Sequence, residues 1–192
     1  MMNAKETTIR YLSKELNVSD KKIAELFNIT RSSVCHYRKY HNIRKPETVG
    51  RIGELLAIEE LNRLGHSTLD MNVSDKTALF DILVDSKIRI EVKTSTKTKQ
   101  NTFKFSLTNK EECNHIESEI RTRYKSGRTK KRYDLTADYF LLVSLDEKAT
   151  FWLIPTNQIE IETQTISISK SSNRYDLYKN NFDLLRSDLN DN

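Results

Sequence analysis

Apolar residues recur at helical spacing through the N-terminal quarter of the chain and switch to strict alternation after residue 79. Lys5 to Asn17 predicts a helix in which Ile9, Leu12 and Leu16 share a face. Ser19 is placed to cap a second helix from Asp20, with Ile23, Ala24 and Phe27 inward. Asn28-Ile29 makes a short turn, Asn being next to Gly in its tolerance of left-handed backbone. Thr30 then caps a third helix from Arg31 to about Tyr40, with Val34 and Tyr37 inward. That packing leaves Arg31, Ser32, Ser33, His36 and Arg38 on the outer face. Arg44-Lys45-Pro46-Glu47 reads as a linker, because Pro ends the preceding helical register. A strong helix follows from Val49 to Leu64, stopped at Gly65, with Ile52, Leu55, Leu56, Ile58 and Leu61 on its apolar side. Its acids are Glu54, Glu59 and Glu60.

Leu79 to Val84 and Ile88 to Lys93 alternate apolar and polar, as half-buried strands do. Phe80, Ile82 and Val84 share one face of the first, and Ile88, Ile90 and Val92 one face of the second. With Asp85-Ser86-Lys87 as the turn, residue 84 pairs with 88 and residue 81 lies opposite 91. Directly opposed residues have Cβ atoms roughly 4.5 to 5.5 Å apart, and like charges there are destabilising. Asp81 and Glu91 are tolerable together if a divalent cation sits between them, with Lys93 beside Glu91 on the same face. The plainer alternative is a solvated sheet face on which Glu91 pairs with Lys93 or Arg89, an ion pair worth little.

Further on, Thr102 to Leu107 predicts a strand with Phe103, Phe105 and Leu107 inward, and Lys110 to Ile120 a helix. Arg121 to Arg132 is a basic run interrupted by Gly127, read as a mobile loop. Tyr139 to Leu145 and Thr150 to Ile154 form a hairpin, and Tyr175 to Arg186 a short amphipathic helix. The order predicts an α/β core with a mixed sheet. The expected domains are an all-α module over 1–45, a second domain over 46–188 and a tail over 189–192.

Composition narrows the function. The 192 residues carry a formal net charge of +5, which suits a polyanionic partner. Lys97, Lys99 and Lys104, with Arg121, Arg123, Lys125, Arg128, Lys130, Lys131 and Arg132 of the basic run, are candidates to neutralise phosphates, and Tyr124 to stack on a base. Cys35 and Cys113 form no paired framework, and Cys113-Asn114-His115 lacks further ligands for zinc. No apolar run has the length of a membrane span or a signal peptide, so a soluble cytoplasmic protein with no membrane partner is expected. No Ser/His/Asp order or Gly-rich phosphate loop points to another catalytic class.

Residues 20 to 40 resemble a helix-turn-helix DNA-binding unit, with small Ala24 in the second helix and Asn28 where that family usually has Gly. Glu54 within Gly50-Arg51-Ile52-Gly53-Glu54, then Asp81, then Glu91-Val92-Lys93 resemble the PD-(D/E)XK (restriction-endonuclease-like) nucleases, with Phe80 replacing the proline before the strand acid. Ala137 to Val143, Phe151 to Pro155 and Tyr175 through Phe182 to Leu185 resemble the branch of that superfamily containing group I intron-encoded homing endonucleases. These resemblances imply a Mg²⁺-dependent DNA endonuclease, Mn²⁺ substituting, with a mixed-sheet restriction-endonuclease-like core. Asp81 and Glu91 would be the primary ligands, Val92 a further one through its carbonyl, and Glu54 the holder of a second ion or of a bound water. Lys93 would orient the nucleophile or stabilise the transition state. One ion or two is left open. Double-stranded DNA is the expected substrate, and since one site cuts one strand, a homodimer is expected. A Holliday junction resolvase and a non-catalytic DNA-binding regulator remain alternatives.

Overall fold

The computed structural model describes residues 4–75, 77–96, 102–109, 118–169 and 174–190. It divides into two compact units, Met1–Thr48 and Val49–Asn192.

The first unit is a trio of helices, α1 (Ala4–Lys14), α2 (Asp20–Leu26) and α3 (Arg31–Tyr40). Both expected caps form: the Ser19 and Thr30 side chains accept from the Lys22 and Ser33 amides. Asn28 turns the chain between α2 and α3 with a φ of 48°. Ile9, Ile23, Ala24, Val34 and Ile43 close the core. Leu16 is not part of it: α1 ends at Lys14, and Leu16 is 54% exposed.

In the second unit, α4 (Val49–Arg63) lies on a five-stranded mixed sheet of order β1 (Thr68–Asp70), β2 (Ile82–Val84), β3 (Ile88–Thr96), β7 (Tyr139–Leu145) and β8 (Thr150–Pro155). Only β3 and β7 pair in parallel. The β2–β3 register matches the expectation, with Val84 opposite Ile88. Asp85 and Ser86 make the turn at φ values of 49° and 58°, the left-handed pair of a primed hairpin turn. One sheet face packs Ile82, Val84, Ile90, Val92, Leu141 and Leu153 against Ala57 and Leu61 of α4. The other carries Phe140, Leu142, Trp152 and Ile154 against a second, two-stranded sheet of β4 (Thr102–Ser106) and β9 (Thr165–Ser169), which supplies Phe103, Phe105, Ile166 and Ile168. The central strand β7 is thus covered on both faces, and its continuous apolar run reflects that.

Several expectations are corrected. On α4, Leu61 is buried and Leu56 and Ile58 pack against the core as expected, but Leu55 is 40% exposed, and Gly53 and Ala57 complete the buried stripe. The basic run is a hairpin rather than a loop: β5 (Arg121–Arg123) pairs with β6 (Thr129–Lys131), and Gly127 turns it at a φ of 78°. The expected helix over Lys110 to Ile120 lies mostly outside the described residues, and Ser118 already bridges to Arg121. Tyr175 to Arg186 is no continuous helix. A 3₁₀ turn at Asp176–Tyr178 gives way to left-handed Asn180, then to α7 (Asp183–Asn190), which takes in part of the expected tail. Strands β1 and β9 and the short helices α5 (Met71–Ser74) and α6 (Tyr133–Thr136) were not foreseen. No helix among the described residues is long and apolar enough to cross a membrane.

Candidate active site

The regular ladder between β2 and β3 stops at the pair Ile82–Ile90, and Asp81 sits one step beyond. Its amide donates to the Ile90 carbonyl and its own carbonyl accepts from Met71, both at 3.0 Å. The Val92 amide therefore donates to the Asp81 carboxylate instead, at 2.8 Å to Oδ2, which fixes the side chain beside β3. Burial, and then the charge of Glu91, push the Asp81 carboxyl up to about 6, with Glu54 adding to the same effect. Lys93 and the Val92 amide oppose the rise but do not cancel it. The ladder does not extend to pair residue 81 with 91, but Asp81 and Glu91 lie within electrostatic reach of each other.

Glu91 is 4% exposed, so the polar face it occupies is not a solvated one. Its neighbour across the parallel pair is Phe140, on the face covered by the second core. Both its oxygens are engaged: Lys93 Nζ donates to Oε1 and Lys131 Nζ to Oε2, each at 2.5 Å. The two ammonium groups lie 5.3 and 5.2 Å from the centre of the buried Tyr133 ring, within cation–π reach. Burial alone would lower the Lys93 pKa, but the charge of Glu91 and its other neighbours carry it above the ordinary lysine value. Lys93 is an ammonium here, a donor rather than a base.

Glu54 approaches from α4. Its Oε2 accepts from Arg51 Nη1 at 2.8 Å and from Asn72 Nδ2 at 3.0 Å. Arg51 also grips Asp70 with both terminal nitrogens, so one guanidinium ties α4 to the end of β1. Arg51 and Asp70 were not singled out from the sequence, although Arg three residues before Glu on a helix is a readable ion-pair spacing. Among the described residues, no three His, Cys, Asp or Glu side chains form a ready cage for a metal ion. The donor set is nonetheless of hard oxygens. Mg²⁺ keeps several waters and needs only one or two carboxylates besides phosphate, so the Asp81–Glu91 pair fits it.

The candidate nucleic-acid contacts separate into two groups. On α3, Arg31, Ser32, Ser33 and His36 are exposed, with the Ser33 hydroxyl 2.8 Å from Thr30 Oγ1. Arg38 is not available: it is 2% exposed, donates to Ser13 Oγ at 2.6 Å and faces Asp20 at 3.4 Å. On the hairpin, Arg123, Lys125 and Arg128 are exposed near the tip and Arg121 is half-buried. Lys130 and Lys131, adjacent in β6, point to opposite sides as strand neighbours must. Lys130 is 6% exposed and donates to the Ile161 and Thr163 carbonyls at 2.6 and 2.7 Å, so it is not a phosphate contact. Lys131 reaches Glu91 and the Leu79 carbonyl, and Arg132 pairs with Asp134. Lys97, Lys99 and Cys113 lie outside the described residues; Cys35 is a free thiol.

No protein-family model matches the chain, and no curated protein matches it. Among solved structures, the chain is similar to a bacterial homing endonuclease, I-Ssp6803I, at 16% identity and a TM-score of 0.56, over 73% of this chain and 92% of that one. The likeness is one of fold: a mixed α/β core of the kind described above.

Proposed function

We propose that the chain is a metal-dependent DNA endonuclease, with its nuclease site in the Val49–Asn192 unit and a helix-turn-helix in the Met1–Thr48 unit that aids recognition of duplex DNA. The observation that carries the reading is the placement of two acids and a lysine at one point of the sheet. The Val92 amide fixes the Asp81 carboxylate at 2.8 Å, beside buried Glu91 and the Lys93 ammonium bonded to it, and burial with the charge of Glu91 pushes the Asp81 carboxyl up. A fold conserves stability by avoiding such pairs, and a site that takes up a divalent cation has a use for one. Its fold is also that of a protein described as a homing endonuclease, which supports the same reading.

Mg²⁺, when bound, supplies Lewis-acid polarisation of the phosphate and a more acidic water. The chain's own residues divide the remaining work. The Val92 amide holds the Asp81 carboxylate in one orientation before any ligand arrives. Glu91 would hold the cation beside Asp81, in competition with the lysines that it now binds. Lys93, released from Oε1, keeps its proton and offers N–H bonds to the attacking water or to the charge developing on the phosphate. Glu54, steadied by Arg51 and Asn72, would hold a second ion or orient a water. In the N-terminal unit, the exposed Arg31, Ser32, Ser33 and His36 present a polar face of α3 to a groove. One such site cuts one strand, so cleavage of both strands calls for a homodimer.

One observation favours a second reading. Glu91 is fully neutralised by two lysines, which would also suit a retired site in a DNA-binding regulator. Incubating the purified chain with supercoiled plasmid and Mg²⁺, against a control with EDTA, separates the two. Nicking that disappears with the chelator supports the enzyme; plasmid binding without any nicking, in Mg²⁺ or Mn²⁺, supports the regulator.

A further inference from the structure

The proposed nuclease motif accounts for one lysine, Lys93, yet Glu91 carries a second of equal length from a different part of the chain. Lys131 comes from β6, and its placement is built rather than incidental. The root of the hairpin is anchored on one side by Lys130, which donates to Ile161 and Thr163. It is anchored through the backbone as well: the Asn109 amide donates to the Thr129 carbonyl at 2.8 Å. Strand alternation then directs Lys131 to the opposite side, with a side chain only 14% exposed. There it binds three parts of the site at once: Glu91 Oε2, the Leu79 carbonyl at 2.6 Å on the segment that leads to Asp81, and the face of Tyr133.

We infer that Lys131 is a positioning residue for the cation: it is the resident counter-ion of Glu91, with which an entering divalent cation must compete, and so it holds down the cation affinity of the site. The inference rests on the nuclease reading above. With Lys93 on Oε1 and Lys131 on Oε2, each Glu91 oxygen already accepts from an ammonium, so a cation entering here competes with both for the carboxylate. Lys93 has a role to move to, at the water or the phosphate. Lys131 has two further contacts, the Leu79 carbonyl and the face of Tyr133, to steady it as its bond to Glu91 loosens. It also remains close enough to repel an incoming cation. Exposed Arg123, Lys125 and Arg128 lie towards the tip of the same hairpin, where a phosphate backbone would meet them.

The experiment titrates the full chain with Mn²⁺ in the absence of DNA, reading free ion by electron paramagnetic resonance, for wild type, Lys131→Gln, Lys131→Met and Lys131→Arg. Gln keeps a donor for the Leu79 carbonyl and loses the charge, so it stays informative should Met fail to fold. Removing the competing ammonium should tighten Mn²⁺ binding about tenfold or more, the scale of a close charge pair withdrawn from water. Lys131→Arg should bind as wild type does. The Mg²⁺ concentration for half-maximal plasmid nicking should fall by the same factor in Lys131→Gln. A purely structural lysine would give unchanged or weaker Mn²⁺ binding in the folded Gln variant, and that result overturns the inference while leaving the nuclease reading intact. Wild type that binds no Mn²⁺ and cuts nothing overturns both.

Discussion

Gly53 lies so close to Thr94 that a β-carbon on the glycine would stand 1.9 Å from the threonine hydroxyl oxygen and 2.8 Å from its Cβ. The contact is where α4 settles on β3, one residue before Glu54 on the helix and one after Lys93 on the strand. Thr94 completes it by donating to the Gly50 carbonyl at 3.4 Å. The two glycines of Gly50-Arg51-Ile52-Gly53-Glu54 therefore have different uses. Gly53 lets the helix backbone approach the sheet, and that approach carries Glu54 to within electrostatic reach of Asp81.

Gly53→Ala should accordingly destabilise the protein, although alanine is the better helix former by about 1 kcal/mol. The clash is with a Cβ as well as a side-chain oxygen, so rotating Thr94 does not relieve it, and overpacking of this kind costs ~1–3 kcal/mol. A lower melting temperature and a larger fall in nicking rate are expected, because Glu54 moves with the helix. The double variant Gly53→Ala/Thr94→Gly removes all three clashing atoms and should recover part of the activity. A stabilised single variant with normal nicking would show that the close approach is dispensable.

Asp81→Asn should raise stability at neutral pH while abolishing cleavage. The Asp81 carboxyl titrates near 6 in the folded chain, above its ordinary value of 3.8. Between those values the folded state holds a proton that the unfolded state has released. Stability is therefore lost as pH rises from about 4 to about 6, and the loss is complete above that. Asn escapes it and keeps an oxygen for the Val92 amide. The gain in EDTA should be about 2 kcal/mol near pH 7.5 and should shrink towards zero near pH 4. Thermal melts across that range check it; a gain that grew on acidification would contradict the assignment.

The neighbouring carboxylate should behave in the opposite sense. Glu91→Gln leaves Lys93 and Lys131 without their shared counter-charge in a site where Glu91 is 4% exposed. Breaking a pair in such surroundings costs ~3 kcal/mol, against the small effect of a surface ion pair. Denaturant unfolding in EDTA should show this loss, and nicking should vanish with it. Equal stability of wild type and Glu91→Gln would mean that the two lysines find water instead.

What the sequence conveyed was mostly local. The Ser19 and Thr30 caps, the left-handed Asn28 and the Val84–Ile88 register each follow from a few adjacent residues, and each is present. So is the inward set Phe103, Phe105 and Leu107. Its partner strand β9 escaped notice because Ile166 and Ile168 make a short alternation whose meaning depends on distant β4. On α4 the sequence shows Leu56, Ile58 and Leu61 facing the core but not the closest contact, which is made by residues without bulk, Gly53 and Ala57, that count for little in an apolar pattern. In the basic run, charge concealed alternation. Thr129, Lys130 and Lys131 form a strand whose two lysines do unlike things, and only the partners brought from elsewhere, Ile161 and Glu91, reveal it.

Arg38 and Arg31 offer the sharpest contrast for the N-terminal unit, since both belong to one helix and carry one charge. Arg38 stands among the helix ends, bonded to Ser13 of α1 and paired with Asp20 of α2, and burial lowers its pKa from the usual arginine value. Its polar groups are inside because the three helices close over them. Arg38→Ala should therefore cost ~3 kcal/mol of stability in this unit, by leaving Asp20 uncompensated and a cavity beside Ser13. Arg31, exposed at the start of α3, should tolerate Ala within about 0.5 kcal/mol. If α3 enters a groove, that substitution instead removes ~1–3 kcal/mol of base discrimination. Hydrogen exchange of the α1–α3 amides, measured beside competition binding on matched and scrambled duplexes, distinguishes the two. Arg38→Ala should speed exchange throughout the trio and weaken binding to all sequences together, whereas Arg31→Ala should leave exchange alone and narrow only the gap between duplexes. Unchanged exchange in Arg38→Ala with selective loss of DNA affinity would place that guanidinium outside, on the nucleic-acid face.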